Sequence, residues 1–249
     1  MHKSFDIAII GGGNAGLTLA KNLLDHRAAE NIAVIEPTHP REKYANWCSW
    51  HREDNLNNYQ DAIKGVWDSW SIIDDKTNVK HKSSEYKYAC IDSALYLSCI
   101  EEKLRNSSIK IIRDSVEKIK IKKNNKRELQ CKNNTYEAVH VYDSRPPEIE
   151  DGSLRQHFLG VEYELNDHQN INAPILMDFR VDQSFGLHFI YALPFSSNRL
   201  LIESTVISRK FNEKSWYRNQ IKEWIKHRNL KVNKAISEEI GAISQESCD

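Results

Sequence analysis

Phe5-Asp-Ile-Ala-Ile-Ile-Gly-Gly-Gly-Asn-Ala-Gly16 decides the fold. Ile7, Ala8, Ile9 and Ile10 make an unbroken apolar run of strand length, as a strand buried on both faces requires. Gly11, Gly13 and Gly16 follow at G-x-G-x-x-G spacing, and Leu17-Thr-Leu-Ala-Lys-Asn-Leu-Leu24 continues with helical periodicity. Gly11 permits the tight turn, Gly13 lets the backbone approach a pyrophosphate, and Gly16 lets helix and strand pack closely. The helix opens at Asn14 and Ala15, where free N–H groups and a partial positive charge face the phosphates. Twenty residues past Gly16, Ala33-Val-Ile-Glu36 reads as a second strand ending in an acid, a carboxylate suited to ribose hydroxyls.

The bulk composition is that of an ordinary soluble chain large enough for a real core. Its 249 residues carry zero formal net charge, with 40% hydrophobic and 28% charged residues, so nothing global advertises nucleic acid. There is no apolar run of transmembrane length. The opening Met-His-Lys-Ser leads straight into the first strand, which leaves no room for a signal peptide. Cys48, Cys90, Cys99, Cys131 and Cys248 lack C-x-x-C spacing and are expected to be reduced thiols rather than a disulfide frame or a metal site. A cytoplasmic compartment follows.

Working outward, residues 38–85 are polar and aromatic, with Trp47, Trp50, Trp67 and Trp70, and read as an insertion after the second strand. It either covers the nucleotide domain or lines a pocket; packing between domains explains any single ring equally well. His51 has no evident partner and reads as structural. Leu95, Tyr96, Cys99, Ile100 and Leu104 predict a helix capped near Asp92-Ser93. An edge strand at Ile109 and a hairpin turning over Asn124-Asn125 come next. Ten basic residues against two acidic ones between Lys103 and Arg127 read as a solvated face. Val139-His-Val-Tyr-Asp-Ser-Arg-Pro-Pro147 ends a strand at Asp143 and Arg145 before two prolines turn the chain out of the sheet. Phe158–Leu165, Ile175–Val181, Leu187–Leu193 and Arg199–Ile207 read as antiparallel strands, with turns at Asn166-Asp167, Ser184–Gly186 and Ser196–Asn198. Glu213–His227 fits a basic helix bearing Tyr217, Ile221 and Trp224 on one face, suited to a membrane surface or, preferably, to packing on the second domain. The expected layout is a nucleotide domain over 1–147, an antiparallel sheet domain over 148–211, and a helix plus return segment over 212–249.

A glycine turn joined to an antiparallel sheet favours a flavoprotein over a nicotinamide dehydrogenase. Within the sheet, Asp178 and Glu203 each interrupt an apolar strand. Each either faces solvent or sits in a cavity, where desolvation would raise its pKa and suit it to proton transfer.

Several stretches resemble the lycopene cyclase family in that family's order, from about residue 5 to about 243. They include Asp6–Gly16, Trp47-Cys-Ser-Trp50, Asp143-Ser-Arg145 and Leu154–Gly160. The more specific ones are Pro174-Ile-Leu-Met-Asp-Phe-Arg180 with Gln183, His188–Pro194 and Leu200-Leu-Ile-Glu-Ser-Thr205. The resemblance implies an α/β fold with a Rossmann-type FAD-binding domain and a second, antiparallel-sheet substrate domain. It implies redox-neutral closure of the ψ end group of lycopene to a β-ionone ring, using reduced FAD with NADPH as a candidate electron donor. Glu203 matches the family's essential acid and Asp178 a supporting one. Gly11, Gly13, Asn14, Ala15, Gly16, Glu36, Val116, Asp143 and Arg145 carry over as FAD contacts, Val116 through its backbone to the adenine. No metal is implied, and peripheral contact with the inner face of a membrane fits the polyene substrate. A flavin-dependent isoprenoid reductase and a non-catalytic remnant that binds nucleotide or polyene are the competing readings.

Two departures from the family pattern stand out. Ser204 occupies the position where the family carries a second acid after the glutamate. Family members also continue past the position of Asp249 and return to the nucleotide domain through a further glycine-containing segment. The expectation is therefore that this chain alone binds FAD weakly or not at all. Purified protein should be nearly colourless, and stoichiometric yellow flavin in its visible spectrum would overturn that expectation.

Overall fold

A computed structural model describes residues 3–42, 44–122, 126–148, 150–166 and 171–246. The turn at Asn124-Asn125, Asp167 and Cys248 lie outside the described residues. In chain order the first elements are β1 (Lys3–Ile10), α1 (Asn14–Asp25), β2 (Ile32–Ile35), β3 (Asn46–Arg52) and the short α2 (Glu53–Leu56). Next come β4 (Ile63–Trp67), β5 (Ser69–Ile73), β6 (Asn78–Lys82), β7 (Tyr86–Asp92), α3 (Ser93–Arg105), β8 (Lys110–Ile112) and β9 (Val116–Ile121). The rest are β10 (Arg127–Cys131), β11 (Thr135–Asp143), β12 (Arg155–Leu165), β13 (Ile175–Asp178), β14 (Leu187–Ser196), β15 (Arg199–Ser208), α4 (Lys214–His227) and β16 (Val232–Ser244). The chain divides into two compact units.

The first unit comprises Met1–Trp47, Tyr59–Ala62 and Ile91–Pro146. Its six-stranded sheet runs in the order β8-β2-β1-β11-β10-β9. The first four strands are parallel, and β10 and β9 return antiparallel. β1 reads as continuous apolar sequence because both of its faces are covered. Ile7 and Ile9 join Leu17 and Ala20 of α1 and Leu97, Ile100 and Leu104 of α3 in one core cluster. Ala8 and Ile10 join Ile35, Leu129 and Ala138 in another on the opposite face. The α3 helix starts where its cap predicts, with the Asp92 carboxylate accepting from Leu95 N at 2.9 Å. This is the Rossmann-type half of the expected fold.

The second unit comprises Cys48–Asn58, Ile63–Cys90 and Pro147–Asp249. A seven-stranded sheet, β16-β12-β15-β14-β13-β5-β6, carries it, with β13 and β5 its one parallel pairing. Alternation along β15 sends Leu200, Ile202 and Val206 into a core with Leu159 and Val161 of β12 and with Tyr217, Ile221 and Trp224 of α4. α4 thus spends its apolar stripe on the sheet. Leu201 points to the other face, beside Leu193, Leu176, Tyr88 and Cys90. A smaller sheet, β3-β7-β4, contributes residues 48–52, 63–67 and 86–90 to this unit.

Three features differ from the sequence reading. Much of the aromatic insertion forms strands β4 to β6 of the second unit rather than a separate irregular segment after β2. The strand expected to reach Val181 stops at Asp178, whose side chain bonds the backbone N–H of Arg180 at 3.3 Å and ends the pairing. Past α4, residues expected to form a return segment pair within the second unit. β16 runs thirteen residues alongside β12 as an edge strand of the large sheet.

The glycine turn is tight for a stated reason. Gly11 sits at φ +99°, and a Cβ on Gly16 would lie 2.0 Å from the Gly11 carbonyl oxygen. A Cβ on Gly13 would meet nothing within 4 Å. Gly16→Ala should therefore lower stability by about 2 kcal/mol or more in chemical denaturation, and Gly13→Ala by about 1 kcal/mol or less. Equal losses would contradict this packing.

Candidate functional sites

The first site is the turn from β1 into α1. Gly12 N donates to Glu36 Oε2 at 2.7 Å, and Thr38 donates to Glu36 Oε1 from its backbone (3.0 Å) and hydroxyl (2.6 Å). The Glu36 side chain therefore braces the loop from the end of β2, and it is buried rather than open. Asn14 and Ala15 are exposed at the start of α1. Register sets Ile10 against Asp143, so the end of β11 lies beside the turn. Ser144 Oγ donates to Ile10 O at 2.8 Å. Arg145 grips Asp143 through Nε (2.9 Å) and Nη2 (2.7 Å) and donates Nη1 to Val116 O at 2.8 Å. These bonds hold the Asp143 carboxyl below its usual range. Val116, whose backbone is expected to contact the adenine, has its carbonyl accepting from Arg145. The turn, Glu36, Val116, Asp143 and Arg145 thus gather around the carboxyl ends of β1, β2 and β11, where doubly wound sheets hold ligands.

The second site is on the face of the large sheet that carries Leu201. Glu203 stands there between two cross-strand neighbours, Gly160 of β12 and Tyr191 of β14. A Cβ at Gly160 would lie 3.4 Å from Glu203 Oε2, so the missing side chain leaves the room the carboxylate leans into. Thr205 Oγ1 donates to Glu203 Oε1 at 2.5 Å. Among the described residues no ion pair reaches this carboxylate. Burial therefore dominates and raises its pKa to about 7, while the Thr205 bond pulls the other way. Tyr191 shares a 2.8 Å hydroxyl–hydroxyl hydrogen bond with Tyr88. Trp50 stacks near Tyr88 at 5.0 Å and near Trp70 at 5.8 Å, and Trp67 approaches Tyr88 at 6.4 Å and Phe195 at 6.3 Å. An acid with a near-neutral pKa and a bank of aromatic rings share this face.

Asp178 is not on it. It lies on the face covered by α4, fully buried, accepting from Arg180 Nε (2.8 Å), Arg228 Nη2 (2.9 Å) and Trp224 Nε1 (3.0 Å). Burial alone would raise its pKa, but these three donors together outweigh it and hold the carboxyl well below its usual value. The structure does not bring Asp178 and Glu203 together, and Asp178 is a fixed anion rather than a proton donor. A polar cavity of about 770 Å³ opens beside Asp178, lined by Arg180, Asp182, Gln183, Glu223, His227 and Arg228 among others. Ser204 also faces this side, bonded to His188 Nε2 at 2.9 Å, so an acid at position 204 would look away from Glu203. His51 has a partner after all, Ser49 Oγ at 2.7 Å.

Sequence reasoning missed Tyr88, Tyr191 and Gly160. Only Gly160 left a local signal, a glycine inside an apolar strand. Among the described residues no His, Cys, Asp or Glu cluster could hold a metal ion, and no helix is long and apolar enough to cross a membrane.

These features define a mixed α/β protein with a Rossmann-type dinucleotide fold and a sheet unit carrying a buried acid. Solved structures share the fold. A geranylgeranyl bacteriochlorophyll reductase-like protein of Thermoplasma acidophilum superposes with a TM-score of 0.73 at 12% identity, covering 98% of this chain and 67% of that one. The halogenase PltM, solved with phloroglucinol and FAD, gives 0.66 at 11% identity over 97% of this chain and 61% of that one. The chain belongs to the family described as lycopene cyclase protein, whose model matches residues 6–245. It is 23% identical to lycopene beta-cyclase of Pantoea ananas, covering 98% of this chain and 63% of that protein. It is 26% identical to the chloroplastic/chromoplastic lycopene beta cyclase of Capsicum annuum, covering 80% of this chain and 43% of that one. The chain thus spans between 43% and 63% of the length of these relatives.

The buried Asp178 and the half-buried Glu203 should respond to pH in opposite ways. Asp178 has a depressed folded pKa, so it stabilises the fold above the unfolded value of 3.8 and loses that contribution as pH falls. Asp178→Asn should cost about 3 kcal/mol at neutral pH, because two arginines lose their acceptor. Glu203 has a raised folded pKa, so its contribution is complete below 4.5 and is lost as pH rises to about 7. Glu203→Gln should therefore match the parent in acid and exceed it by about 1–3 kcal/mol above that range. Denaturant titrations across pH check both signs, and a Glu203→Gln variant less stable at high pH would refute the burial argument.

Proposed function

We propose that this chain carries the acid site of a lycopene cyclase, protonating a polyene end group without net redox change. Glu203 carries the reading: it stands on an apolar, aromatic face with no counter-cation among the described residues and a pKa near neutrality. An acid of that strength is part protonated at neutral pH and can both give and regain a proton. In the proposed reaction the Glu203 carboxyl transfers its proton to the terminal double bond of a ψ end group. The resulting carbocation closes to a six-membered ring, and loss of a ring proton yields a β-ionone ring. One proton enters and one leaves, so the product is an isomer of the substrate. Negative charge on the deprotonated glutamate and the faces of Trp50, Trp70 and Tyr88 suit a developing cation.

The lycopene beta-cyclases among the relatives support the substrate class, and the FAD-bound halogenase of the same fold supports the cofactor. The residues present fit a dinucleotide: Gly13 leaves open space over the turn, Gly11 holds the left-handed conformation, and α1 presents its N-terminus. Gly11, Gly13, Asn14, Ala15 and Gly16 would hold the pyrophosphate of FAD taken up weakly from the cell's own supply, with Glu36 keeping the loop in place and Asp143 and Arg145 bordering it. Reduced flavin, supplied with electrons by NADPH, would add electron density that steadies cationic species. Asp178 is assigned a supporting role, fixing the end of β13 and the α4 contact. The protein is proposed to act in the cytoplasm, in peripheral contact with the membrane that holds its substrate.

The isoprenoid reductase reading draws on the fold shared with the Thermoplasma protein. It demands one reductant consumed per double bond, whereas cyclisation consumes none, so product formed without stoichiometric NADPH oxidation decides between them.

Expression in lycopene-accumulating cells should convert red pigment to orange cyclised carotenoid. Glu203→Gln should lower conversion at least about a hundredfold, with an unchanged fold by circular dichroism. For the protein in vitro, rate should fall as pH rises through about 7, because the protonated form is the donor. Retained cyclisation in Glu203→Gln would reject the assignment.

A further inference from the structure

The carboxyl group of Glu203 has two oxygens in different surroundings. Oε1 accepts from the hydroxyl of Thr205, two residues along β15 and on the same face. Thr205 is fully buried, and among the described residues its hydroxyl has no other acceptor. Oε2 takes no hydrogen bond among them. The buried side-chain polar atoms left unpaired there are Arg113 Nε, Asn212 Nδ2 and Arg228 Nε, so Oε2 is unpaired without being sealed in. It leans over Gly160 of β12, directly opposite in the register. The three heavy atoms nearest a Cβ built on Gly160 all belong to the Glu203 side chain, Oε2 first at 3.4 Å. The open side of the carboxyl is therefore the side on which its neighbour has no side chain.

We infer that Thr205 and Gly160 aim the acid: the Thr205 hydroxyl occupies Oε1, so the transferable proton sits on Oε2 and leaves over Gly160. The inference rests on the proposed role of Glu203 as proton donor. A proton on Oε1 would point at the Thr205 oxygen and strip the buried hydroxyl hydrogen of its acceptor, which is costly. With the proton on Oε2, the Thr205 bond is kept in both charge states of the acid. In the transfer the Oε2–H bond breaks and its electron pair stays on Oε2. The π pair of the polyene's terminal double bond forms the new C–H bond, and the positive charge stays on the carbon that gives up the pair. The Thr205 hydroxyl then faces a full negative charge, and its hydrogen bond strengthens. Thr205 acts through Glu203 and is a positioning residue, while Gly160 sets the side from which the substrate approaches.

The other titratable groups on this face come from neighbouring strands. β14 and β7 bring Tyr191 and Tyr88, whose hydroxyls bond each other and whose pKa values are raised chiefly by burial. β7 and β3 bring the thiols of Cys90 and Cys48. β12 brings Glu162, two residues from Gly160, bonded by Lys64 of β4 at 2.8 Å and by Arg199 at 2.5 Å. β16 brings Glu239, in register with Gly160 on its other side. All of these groups are present in every variant compared below, so their charges are common to each comparison.

The test joins a carbon-13 NMR titration of glutamate side-chain carboxyls to ring formation with excess reduced FAD. Both use the full chain, with the Glu203 signal assigned by its loss in Glu203→Gln. In the parent, Glu203 should titrate near 7. Thr205→Val keeps the shape and removes the donor, so the midpoint should rise by about half a unit or more. Its turnover should fall about tenfold even at about pH 5, where the acid is protonated in both proteins. Thr205→Ser keeps the hydroxyl and should recover both values. Gly160→Ala puts a methyl group where the reacting carbon has to stand, about 3–3.5 Å from Oε2. A strand accepts alanine, so circular dichroism and the Glu203 signal should persist while turnover falls at least about tenfold. Gly160→Ala cyclising at the parent rate overturns the inference, as does Thr205→Val titrating like the parent or Thr205→Ser behaving like Thr205→Val. In each of those cases an inactive Glu203→Gln leaves Glu203 as the acid. Cyclisation that persists in Glu203→Gln overturns the acid assignment and the aiming with it.

Discussion

The two-residue period of a β-strand is the constraint on which the second unit depends. Along β15 it assigns Ile202 and Ser204 to one face and Glu203 and Thr205 to the other, and everything chemical follows from that sorting. The same large sheet holds a buried and a half-buried carboxylate under opposite conditions. Asp178 meets three donors, two of them guanidinium groups, and is locked as an anion that pins α4 to the sheet. Glu203 meets a hydroxyl, a glycine and aromatic rings, and so stays close to neutral. Chemistry at near-neutral pH belongs to the second kind of site, because only there does the proton remain available.

In the first unit the corresponding constraint is contact between backbones. The Gly16 Cα sits so near the Gly11 carbonyl that no side chain fits, which lets α1 start directly over the ends of the parallel strands. Glu36 and Ser144 then tie the turn to β2, β1 and β11 through buried or half-buried hydrogen bonds. Acid and loop are thus one structural piece, and the carboxylate at the end of β2 shapes the turn as well as bordering it.

Local signals explain what was legible in the sequence. The unbroken run Ile7–Ile10, the glycine spacing and the Asp92 cap encode short-range geometry, and each appears in the structure where the chain says it should. The stripe Tyr217, Ile221 and Trp224 gave α4 its buried face in the same way. Non-local pairing was not legible. β16 alternates only loosely, and half of its residues face water, so nothing in Val232–Ser244 announced pairing along the whole of β12. Two of the three donors that hold Asp178, Trp224 and Arg228, come from α4 and the residue after it, about fifty residues away, which is why a polar residue in an apolar strand could not be told apart from an acid poised to titrate.

The central claim is that one carboxyl group of this protein, that of Glu203, stays protonated at a pH where ordinary glutamates are ionised. Infrared difference spectroscopy between the parent and Glu203→Gln at pH about 6 reads this directly, since a protonated carboxylic acid has its own carbonyl stretching band. The account requires such a band in the parent and its loss in the variant. A parent spectrum with no protonated-acid band at that pH, or one that survives the substitution unchanged, would contradict it.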